Sequence, residues 1–353
     1  MRILVINCGS ATLKSALYEA AGGRLERIAG STVPWEGGHA VTVQRALAGL
    51  PSRPDAIAHR VVHGGEQFLA PVLIDDGVLR DLSELVPLAP LHNALSLAGV
   101  EATRGLGVPL VAVFDTAFFA ELPARARRYA LPEIPGVRRF GFHGWSHRSV
   151  TERYAVLTGV PEPTIVTLHL GSGCSAAAIR RGRPVDVSMG YSPLEGLVMS
   201  TRPGDVDPGV LLHLVEQGLG ADALARLLNH ESGLRALAGT GDLRELLARD
   251  DAAAREALDL FCYRIVKYVG AYLAALEGET EAVIFTGGIG HGSPEVRRRV
   301  CASLAWTGLV LDQDRNARGE ETIAVEGASL KAFAIRSDEE GLIAAEAARL
   351  LGA

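Results

Sequence analysis

The chain has 353 residues, of which 48% are hydrophobic and 22% charged, and its formal net charge is −6 at pH 7. This length exceeds what one hydrophobic core usually serves, so we expect two domains of a soluble globular protein. The negative net charge argues against a nucleic-acid or anionic-membrane partner, because both select basic surfaces.

The cysteines and the N-terminus predict a cytoplasmic protein. Four cysteines are scattered without a CxxC pair or metal-ligand spacing, as is typical of reduced core thiols. The first apolar run, ILVIN, is too short for a signal peptide. The longer apolar stretches contain charged residues, so we expect no membrane span.

The first half alternates predicted strands and helices, with strands at residues 2–7, 12–18, 56–60 and 109–114 and helices at residues 41–50 and 94–104. We expect only a short strand among turns in residues 20–38, and the prolines of VPLAP predict that no helix starts before His92. Arg60 and Asp115 each stand at the carboxyl end of a strand, the edge where α/β proteins bind ligands. Asp115 alone is equally typical of a helix N-cap.

Two stretches form an internal repeat. LVINCGSATLKSALY and VTLHLGSGCSAAAIR align without a gap, so that Asn7 matches His169 and Gly9 matches Gly171. Each copy predicts two strands joined at a glycine turn, where backbone N–H groups can approach a phosphate closely. We therefore predict a duplicated domain with a phosphate-binding hairpin in each half.

The second hairpin opens residues 165–209, which continue through a loop to Arg202 and Asp205. An arginine there could hold a transferring phosphoryl group with its planar guanidinium. Upstream, His143 and His147 flank a Gly-Trp-Ser bend. No third ligand lies at metal spacing, so a hydrogen bond to a charged substrate is favoured over a metal site.

The rest of the chain adds predicted helices at residues 211–219, 221–229 and 252–276 and strands at residues 282–285 and 330–335. Asp242 is predicted to lie near a helix N-terminus. The TGGIG run is predicted to be a glycine loop before a helix from about Pro294, a combination suited to an anion, although it is neither a Rossmann motif nor a P-loop. Glu339 and Glu340 either complement the dipole of the last helix or ligate magnesium.

In this order along the chain, NCGSATLK, AHRVVHGG, PLAPLHN, VAVFDTAF, RRFGFHGWSH, HLGSG, DVSMGYSPLEGLVMSTRPGDVDPG, GDLR and FTGGIG resemble the acetate kinase family of acetate and propionate kinases. The resemblance implies an α/β fold of duplicated actin-like (ribonuclease H-like) domains, each a five-stranded mixed sheet with flanking helices, around an interdomain nucleotide cleft. The implied domains are residues 1–117 plus 342–353, and residues 118–341 for nucleotide binding and dimerisation.

The resemblance also implies four groups of site residues. The catalytic group comprises Arg60, Asp115, His143 and Arg202. The acyl pocket, beside Arg60, comprises Val62, Leu91, Phe142 and Pro193. The nucleotide group comprises Ser10, Thr12, Lys14, His169, Gly171, Ser172, Gly173, Asp242, Leu243, Arg244, Gly287, Gly288 and Ile289. Asn7 and Glu339 would bind or orient Mg²⁺ or Mn²⁺, directly or through water.

The implied activity is reversible ATP-dependent phosphorylation of acetate, in a homodimer whose partners are a small carboxylate and ATP or ADP. A carboxylate is ionised at pH 7 and needs no general base, so we expect direct in-line transfer without a phosphoenzyme. Propionate, butyrate, a pyrophosphate donor and a non-catalytic actin-like nucleotide-binding protein remain alternatives.

Five departures from the family pattern are Thr12 for Ser, Ser172 for Asn, Trp145 for a small residue, His291-Gly292 for Glu-Asn, and Arg336-Ser337-Asp338 near the usual Pro-Thr-Asn. The region between Tyr18 and Arg60 is also short for the family. Ser172 and His291 leave the phosphoryl donor open. Trp145 either reshapes the acyl pocket or packs behind the His143 loop, and packing is favoured.

Overall fold

The computed structural model describes residues 1–9, 12–35 and 38–353, apart from the Leu91 side chain. Ser10 and the side chain of Leu91, both assigned to the site by the resemblance, therefore lie outside the described residues. The described chain forms two compact units. The first contains Met1–Ala120, Phe142–Trp145 and Asp338–Ala353, and the second contains Glu121–Gly141 and Ser146–Ser337.

The described residues form eleven strands, which are β1 (Arg2–Cys8), β2 (Thr12–Ala21), β3 (Arg24–Pro34), β4 (Ala56–Val61), β5 (Val72–Leu73), β6 (Leu110–Phe114), β7 (Ile165–Leu170), β8 (Cys174–Arg180), β9 (Arg183–Val187), β10 (Ala282–Thr286) and β11 (Lys331–Ala334). The central strands β1, β4, β6, β7 and β10 are buried along nearly their whole length. Such continuous apolar runs are typical of strands covered on both faces.

The described helices are α1 (His39–Ala48), α2 (Asp76–Glu84), α3 (Pro90–Thr103), α4 (Ala124–Arg127), α5 (Gly144–Thr158), α6 (Pro208–Glu216), α7 (Ala221–His230), α8 (Gly233–Ala238), α9 (Leu243–Leu247), α10 (Ala252–Ala275), α11 (Gly287–Gly292), α12 (Pro294–Ser303), α13 (Gln313–Arg318) and α14 (Glu339–Leu351). Short 3-10 helices occupy Val86–Leu88, Arg104–Leu106, Asp115–Phe119 and Ala305–Thr307. None of the described helices is both long and apolar enough to span a bilayer.

The two units repeat one sheet topology. The strand order is β3-β2-β1-β4-β6-β5 in the first unit and β9-β8-β7-β10-β11 in the second. In both, an antiparallel hairpin is flanked by one further antiparallel strand and by two parallel strands. The predicted duplicated fold with mixed sheets is therefore confirmed, and the two-residue strand β5 adds a sixth strand to the first sheet.

The repeated hairpins place Asn7 and His169 at the same position, one residue before the end of the first strand. Their registers differ by one residue, because the ungapped alignment matches Lys14 with Ala176. Asn7 pairs with Lys14 across β1 and β2, and His169 pairs with Ser175 across β7 and β8. Each hairpin lies beside a parallel strand, β4 or β10, so that the carboxyl ends of adjacent strands meet at one sheet edge. This register brings the predicted ligand residues of each unit to a common edge.

Three local expectations are corrected. Helix α3 begins at Pro90 rather than after His92, because proline lacks only an N–H that a first helical residue leaves unbonded anyway. The TGGIG run is not a loop, since α11 starts directly at Gly287. The short strand expected within residues 20–38 is the eleven-residue β3, whose mostly exposed residues gave little apolar alternation.

Trp145 belongs to the hydrophobic core of the first unit. It is 3% exposed and lies in one buried cluster with Ile3, Val5 and Ile343. The structure thus groups residues 142–145 with the first unit, a segment that the expected domain bounds of 1–117 plus 342–353 omit. The packing of Trp145 gives the physical reason, because burying a large aromatic side chain ties its segment to the surrounding core.

We expect Trp145→Ala to lower the free energy of unfolding by about 3–5 kcal/mol, because it leaves a large cavity in this core. Trp306→Ala is the matched control, since Trp306 is 75% exposed, and it should change stability by less than about 0.5 kcal/mol. Urea titration monitored by circular dichroism measures both. Equal stability losses in the two variants would contradict the core assignment.

Candidate functional site

A polar cluster lies at the carboxyl edge of the first sheet. Arg60 donates from Nε to Asp115 Oδ1 at 2.7 Å and from Nη2 to Asp115 Oδ2 at 2.5 Å. Arg60 Nη1 also donates to Asn7 Oδ1 at 3.0 Å. These three residues come from the ends of three adjacent parallel strands, β1, β4 and β6, which explains how positions 53 and 55 residues apart meet.

Arg60 is a mostly buried cation whose charge is compensated. Burial alone would lower the pKa of its guanidinium, but Asp115, with smaller contributions from Glu339 and Glu340, raises the pKa above its ordinary value. A guanidinium carries five N–H donors, and the contacts above use three of them. Within the described residues, one N–H on Nη1 and one on Nη2 therefore remain to interact with an anion.

The segment carrying His143 lies against Asp115. His143 adopts a left-handed conformation with φ of 57°, which is uncommon for a residue with a side chain. A Cβ at Gly144 would overlap the backbone oxygen of Asp115, so only glycine permits this approach. Phe142 is buried, with its ring centroid 5.5 Å from that of His63, and Val62 is buried on the neighbouring strand end.

The predicted metal and first-hairpin residues are also in this unit. Glu339 is the first residue of α14, whose N-cap Asp338 accepts a hydrogen bond from the Gly341 backbone. Thr12 is half-buried at the start of β2, and Lys14 is exposed. Among the residues that the structure describes, no three His, Cys, Asp or Glu side chains form a group that could hold a metal ion.

Arg202, in the second unit, is also a partly buried cation, but its electrostatic surroundings differ from those of Arg60. Its Nη1 donates to the backbone oxygen of Pro193 at 2.6 Å, so these two predicted site residues are in contact. Within the described part of the chain it has no acidic partner, and burial lowers its pKa to about 10. A charge held out of water without a counterion is suited to receive an anion.

A cavity of about 850 Å³ in the second unit collects most of the predicted nucleotide residues. Its lining includes Gly171, Ser172, Asp242, Leu243, Arg244, Gly288 and Ile289. His169, Gly173 and Gly287 lie within two residues of these in the chain but are not part of the lining. A cavity of this size is in the range that binds a nucleotide-sized ligand.

Glycines bring the second hairpin and α11 together. Gly287 has φ of 77°, and a Cβ there would lie 2.5 Å from the backbone oxygen of Leu170. The junction of β10 and α11 is thus pressed against the end of β7. A Cβ on Gly171 would lie 4.0 Å from the backbone nitrogen of Gly288, so both backbones border one cavity.

The other predicted nucleotide residues have local roles as well. Asp242 is the N-cap of α9 and also pairs with Arg244, whose Nη2 donates at 2.6 Å. These hydrogen bonds from Arg244 lower the pKa of the Asp242 carboxyl to about 2. His169 shares a hydrogen bond of 2.7 Å with Ser146. The N-cap therefore also fixes the position of Arg244 at the cavity.

His147 does not reach this region. Its two ring nitrogens lie 2.7 Å from the hydroxyls of Thr167 and Ser175, and the ring is fully buried. Burial, with the neighbouring His169, lowers its pKa well below the ordinary value. His147 is thus a neutral residue that joins α5 to β7 and β8.

The cavity lining also contains residues that sequence reasoning did not single out. Ser200 and Thr201 lie within the long family-like segment, whereas Arg235 comes from the short helix α8. Their signal was weak, because nothing in the spacing of Arg235 distinguishes it from an ordinary helical surface arginine. His291, a departure from the family pattern, is not part of the lining.

The duplicated topology and the cavity at the end of the second sheet define an actin-like, nucleotide-binding type of fold. The family model described as the acetokinase family matches residues 40–345. The acetate kinase of Natranaerobius thermophilus is 41% identical, and the match covers 100% of both chains. The chain therefore belongs to the acetokinase family.

Two solved structures agree with this assignment. The acetate kinase of Porphyromonas gingivalis is 37% identical, with a TM-score of 0.87 over 99% of both chains. A propionate kinase from Francisella tularensis is 32% identical, with a TM-score of 0.89 over 98% of both chains. Both similarities extend over the complete two-unit fold.

Buried neutral histidines predict a pH dependence of stability. Burial lowers the pKa of His59 to about 3 and that of His147 well below its ordinary value. Below about pH 6.5 the unfolded chain therefore binds protons that the folded chain does not, so stability falls as the pH falls. Each such histidine contributes a slope of about 1.4 kcal/mol per pH unit.

We expect His147→Gln, which keeps a hydrogen-bonding side chain, to reduce this slope by about 1.4 kcal/mol per pH unit between about pH 4 and 6. Urea unfolding at several pH values measures it. An unchanged slope would show that His147 is not kept neutral in the folded protein.

Proposed function

We propose that this chain is an acetate kinase, which transfers the γ-phosphoryl group of ATP to acetate and forms acetyl phosphate and ADP. The observation that carries the proposal is Arg202, a partly buried guanidinium without an acidic partner among the described residues, in a chain of the acetokinase family. Its positive charge suits the one species common to both directions of this reaction, the transferring phosphoryl group.

The main obstacle to the reaction is electrostatic, because an acetate carboxylate must approach a polyanionic phosphate. We assign Arg202 to the phosphoryl group and the two remaining N–H donors of Arg60 to the carboxylate. His143 would donate a hydrogen bond to the phosphoryl oxygens. Oriented cations of this kind stabilise charge that spreads over the equatorial oxygens in the transition state.

Other residues are assigned to the acetate methyl group and to the ATP molecule. We assign Val62 and Phe142, which are buried apolar side chains, to the acetate methyl group, and we assign Pro193, whose backbone oxygen accepts from Arg202, to the same group. The 850 Å³ cavity would take the adenosine and phosphates of ATP. Gly171 and Gly288 support this placement, because both expose backbone at the cavity.

We propose that Mg²⁺, or Mn²⁺, arrives with ATP as part of the substrate. Magnesium in kinases keeps water and phosphate ligands and needs only one or two protein groups. Asn7 Oδ1 already accepts from Arg60, which suits a role through water, and Glu339 lies near enough to affect the Arg60 charge. Loss of turnover on chelation with EDTA, restored by excess Mg²⁺, tests this role.

We propose direct transfer. A carboxylate oxygen of acetate forms the new P–O bond while the bond to the β–γ bridging oxygen breaks, and ADP leaves with that electron pair. No proton moves, because the carboxylate is already ionised at neutral pH. Asp115 would not act as a nucleophile here, since both of its carboxylate oxygens accept hydrogen bonds from Arg60.

We further propose a cytoplasmic homodimer. Helix α6 has no buried residue although it is rich in apolar side chains, and Val210, Leu212 and Val215 are 49–65% exposed. Leu212 and Val215 are three residues apart and so share one face of the helix, and exposed apolar side chains on a shared face are typical of an interface. The four cysteines are free and buried, which suits a reducing compartment. Light scattering of wild type and Leu212→Asp tests dimerisation, and cell fractionation tests the location.

We expect the purified chain with MgATP to form acyl phosphate from acetate, detected as the hydroxamate. Propionate should react less well and butyrate least, each added methylene costing about 1–3 kcal/mol in an apolar pocket that does not fit it. Pyrophosphate in place of ATP should give no product. Higher kcat/KM with propionate would favour a propionate kinase, and no product with any acid would favour a non-catalytic nucleotide-binding protein.

Removing Arg202 and removing Arg60 should both lower activity, but they should differ in their effect on stability. Arg202→Ala should lose at least about a hundredfold in kcat, and its unfolding free energy should change by no more than about 1 kcal/mol, because no buried counterion is left behind. Arg60→Ala should lose activity and also about 3–5 kcal/mol of stability, because the buried Asp115 carboxylate loses both hydrogen bonds from the Arg60 guanidinium.

Arg318→Ala, at an exposed site, is the control for loss of one positive charge and should leave both quantities unchanged. Steady-state kinetics measure kcat, and urea unfolding measures the free energy of unfolding. The assignments fail if Arg202→Ala keeps near-normal turnover, or if Arg60→Ala is as stable as wild type.

Gly288 tests the nucleotide cavity. A Cβ there would have no neighbour within 4 Å, so Gly288→Leu should fold normally yet occupy the cavity. We expect the KM for ATP to rise by about tenfold or more, with little change in the KM for acetate. Gly105→Leu is the matched control, since it also has open space but lies outside the cavity. An unchanged KM for ATP in Gly288→Leu would place the nucleotide elsewhere.

A further inference from the structure

Arg202 lies on a loop that is closed at its base. The backbone nitrogen of Asp205 donates to Gly196 O at 3.0 Å, and the backbone nitrogen of Gly196 donates to Asp205 Oδ1 at 2.8 Å. A Cβ at Gly204, which has φ of 73°, would overlap the backbone oxygen of Gly196. Gly196 on one side of the loop and Gly204 and Asp205 on the other therefore lie in close contact. We call these three residues the neck of the 196–205 loop.

The Asp205 side chain has a second partner outside the loop. Tyr268 on α10 donates its hydroxyl hydrogen to Asp205 Oδ2 at 2.8 Å. Helix α10 is anchored by a buried face that includes Phe261, Ile265 and Val269. The hydroxyl thus connects the neck to one of the rigid elements of the second unit.

The part of the loop farthest from the neck, at Ser200 and Thr201, is held by separate backbone hydrogen bonds. The backbone nitrogen of Ser200 donates to Ser172 O at 3.1 Å, and the backbone nitrogen of Ser232 donates to Thr201 O at 3.0 Å. These bonds fix the part of the loop that borders the nucleotide cavity. Arg202 lies between that part and the neck, and its guanidinium reaches back to Pro193, which precedes the neck.

We propose that Tyr268 and Asp205 are positioning residues for Arg202, an inference that rests on the proposed role of Arg202 in phosphoryl transfer. Because Tyr268 holds Oδ2, the Asp205 carboxylate keeps Oδ1 directed at the Gly196 backbone. The neck then stays closed, and the guanidinium keeps its position relative to Pro193. Without the hydroxyl, Oδ2 keeps only its longer contact with Arg264 Nη1, at 3.9 Å, among the described residues. The carboxylate is then held less firmly, and the Arg202 guanidinium is positioned less precisely.

We expect removal of the Tyr268 hydroxyl to lower kcat more than it lowers stability. Small displacements of a group that contacts the transition state are expensive, and a shift of about 1 Å is associated with losses of up to a hundredfold. Tyr268→Phe removes only one oxygen atom and keeps the ring, which packs on Tyr272 with centroids 5.8 Å apart. The variant therefore isolates the hydroxyl.

The test is a double-mutant cycle between Tyr268→Phe and Arg202→Ala, with acetate and MgATP as substrates. If Tyr268 acts through Arg202, Tyr268→Phe lowers kcat about tenfold in the wild-type background and less than about twofold in the Arg202→Ala background. The KM for ATP should change less than about threefold, because the cavity side of the loop is held separately. Tyr263→Phe, on the exposed face of α10, should leave kcat unchanged in both backgrounds.

Two outcomes would overturn the inference alone. In one, Tyr268→Phe behaves like Tyr263→Phe. In the other, it lowers kcat by the same factor with and without Arg202, which would mean that the hydroxyl acts elsewhere. Absence of acyl phosphate with the wild-type chain would instead overturn the proposed function, and the inference with it.

Discussion

Arg60 and Arg202 are two partly buried cations in opposite electrostatic situations, and most of the site chemistry depends on that difference. Taking a guanidinium out of water is costly unless an anion compensates it. Arg60 is compensated within the protein by Asp115, through two hydrogen bonds of 2.7 and 2.5 Å. Among the residues that the structure describes, the Arg202 side chain donates only to a backbone oxygen, that of Pro193, and its pKa falls to about 10. A bound phosphoryl group would supply the missing charge.

The duplicated topology explains how one architecture carries two different chemistries. Asn7 on β1 and Arg60 on β4 occupy the same positions in the first sheet as His169 on β7 and Thr286 on β10 in the second. The first edge thereby becomes a charged cluster suited to a carboxylate. At the second edge the small residue Gly287 permits close contact with β7, and α11 begins beside the 850 Å³ cavity.

Much of this could be predicted from the sequence, because the relevant signals are local. The aligned hairpins predicted the duplication, and the ends of apolar strands predicted where Arg60 and Asp115 would lie. Pattern reasoning failed where one residue type has two local uses. Proline stops a helix inside it but starts one at Pro90, and a glycine run permits either a loop or the helix α11.

Other features depend on tertiary contacts that no local pattern encodes. The pairing of Asp205 with Tyr268 joins residues 63 positions apart, on a loop and on a long helix. The sequence favoured a packing role for Trp145, and the structure confirms it. The sequence could not name the packing partners, because they lie on β1 and α14 at opposite ends of the chain. That no acidic side chain in the described part of the chain pairs with Arg202 also could not be read from the sequence, because the chain has 41 acidic residues that could have supplied a counterion.

The most direct test of the account is a crystal structure of the wild-type chain with MgADP, acetate and aluminium fluoride as a planar mimic of the phosphoryl group. The account predicts the mimic in line between an acetate oxygen and a β-phosphate oxygen. At least one guanidinium nitrogen of Arg202 should lie about 2.7–3.2 Å from a fluoride. A mimic bound with Arg202 still directed only at Pro193, or attached to a protein side chain, would contradict it.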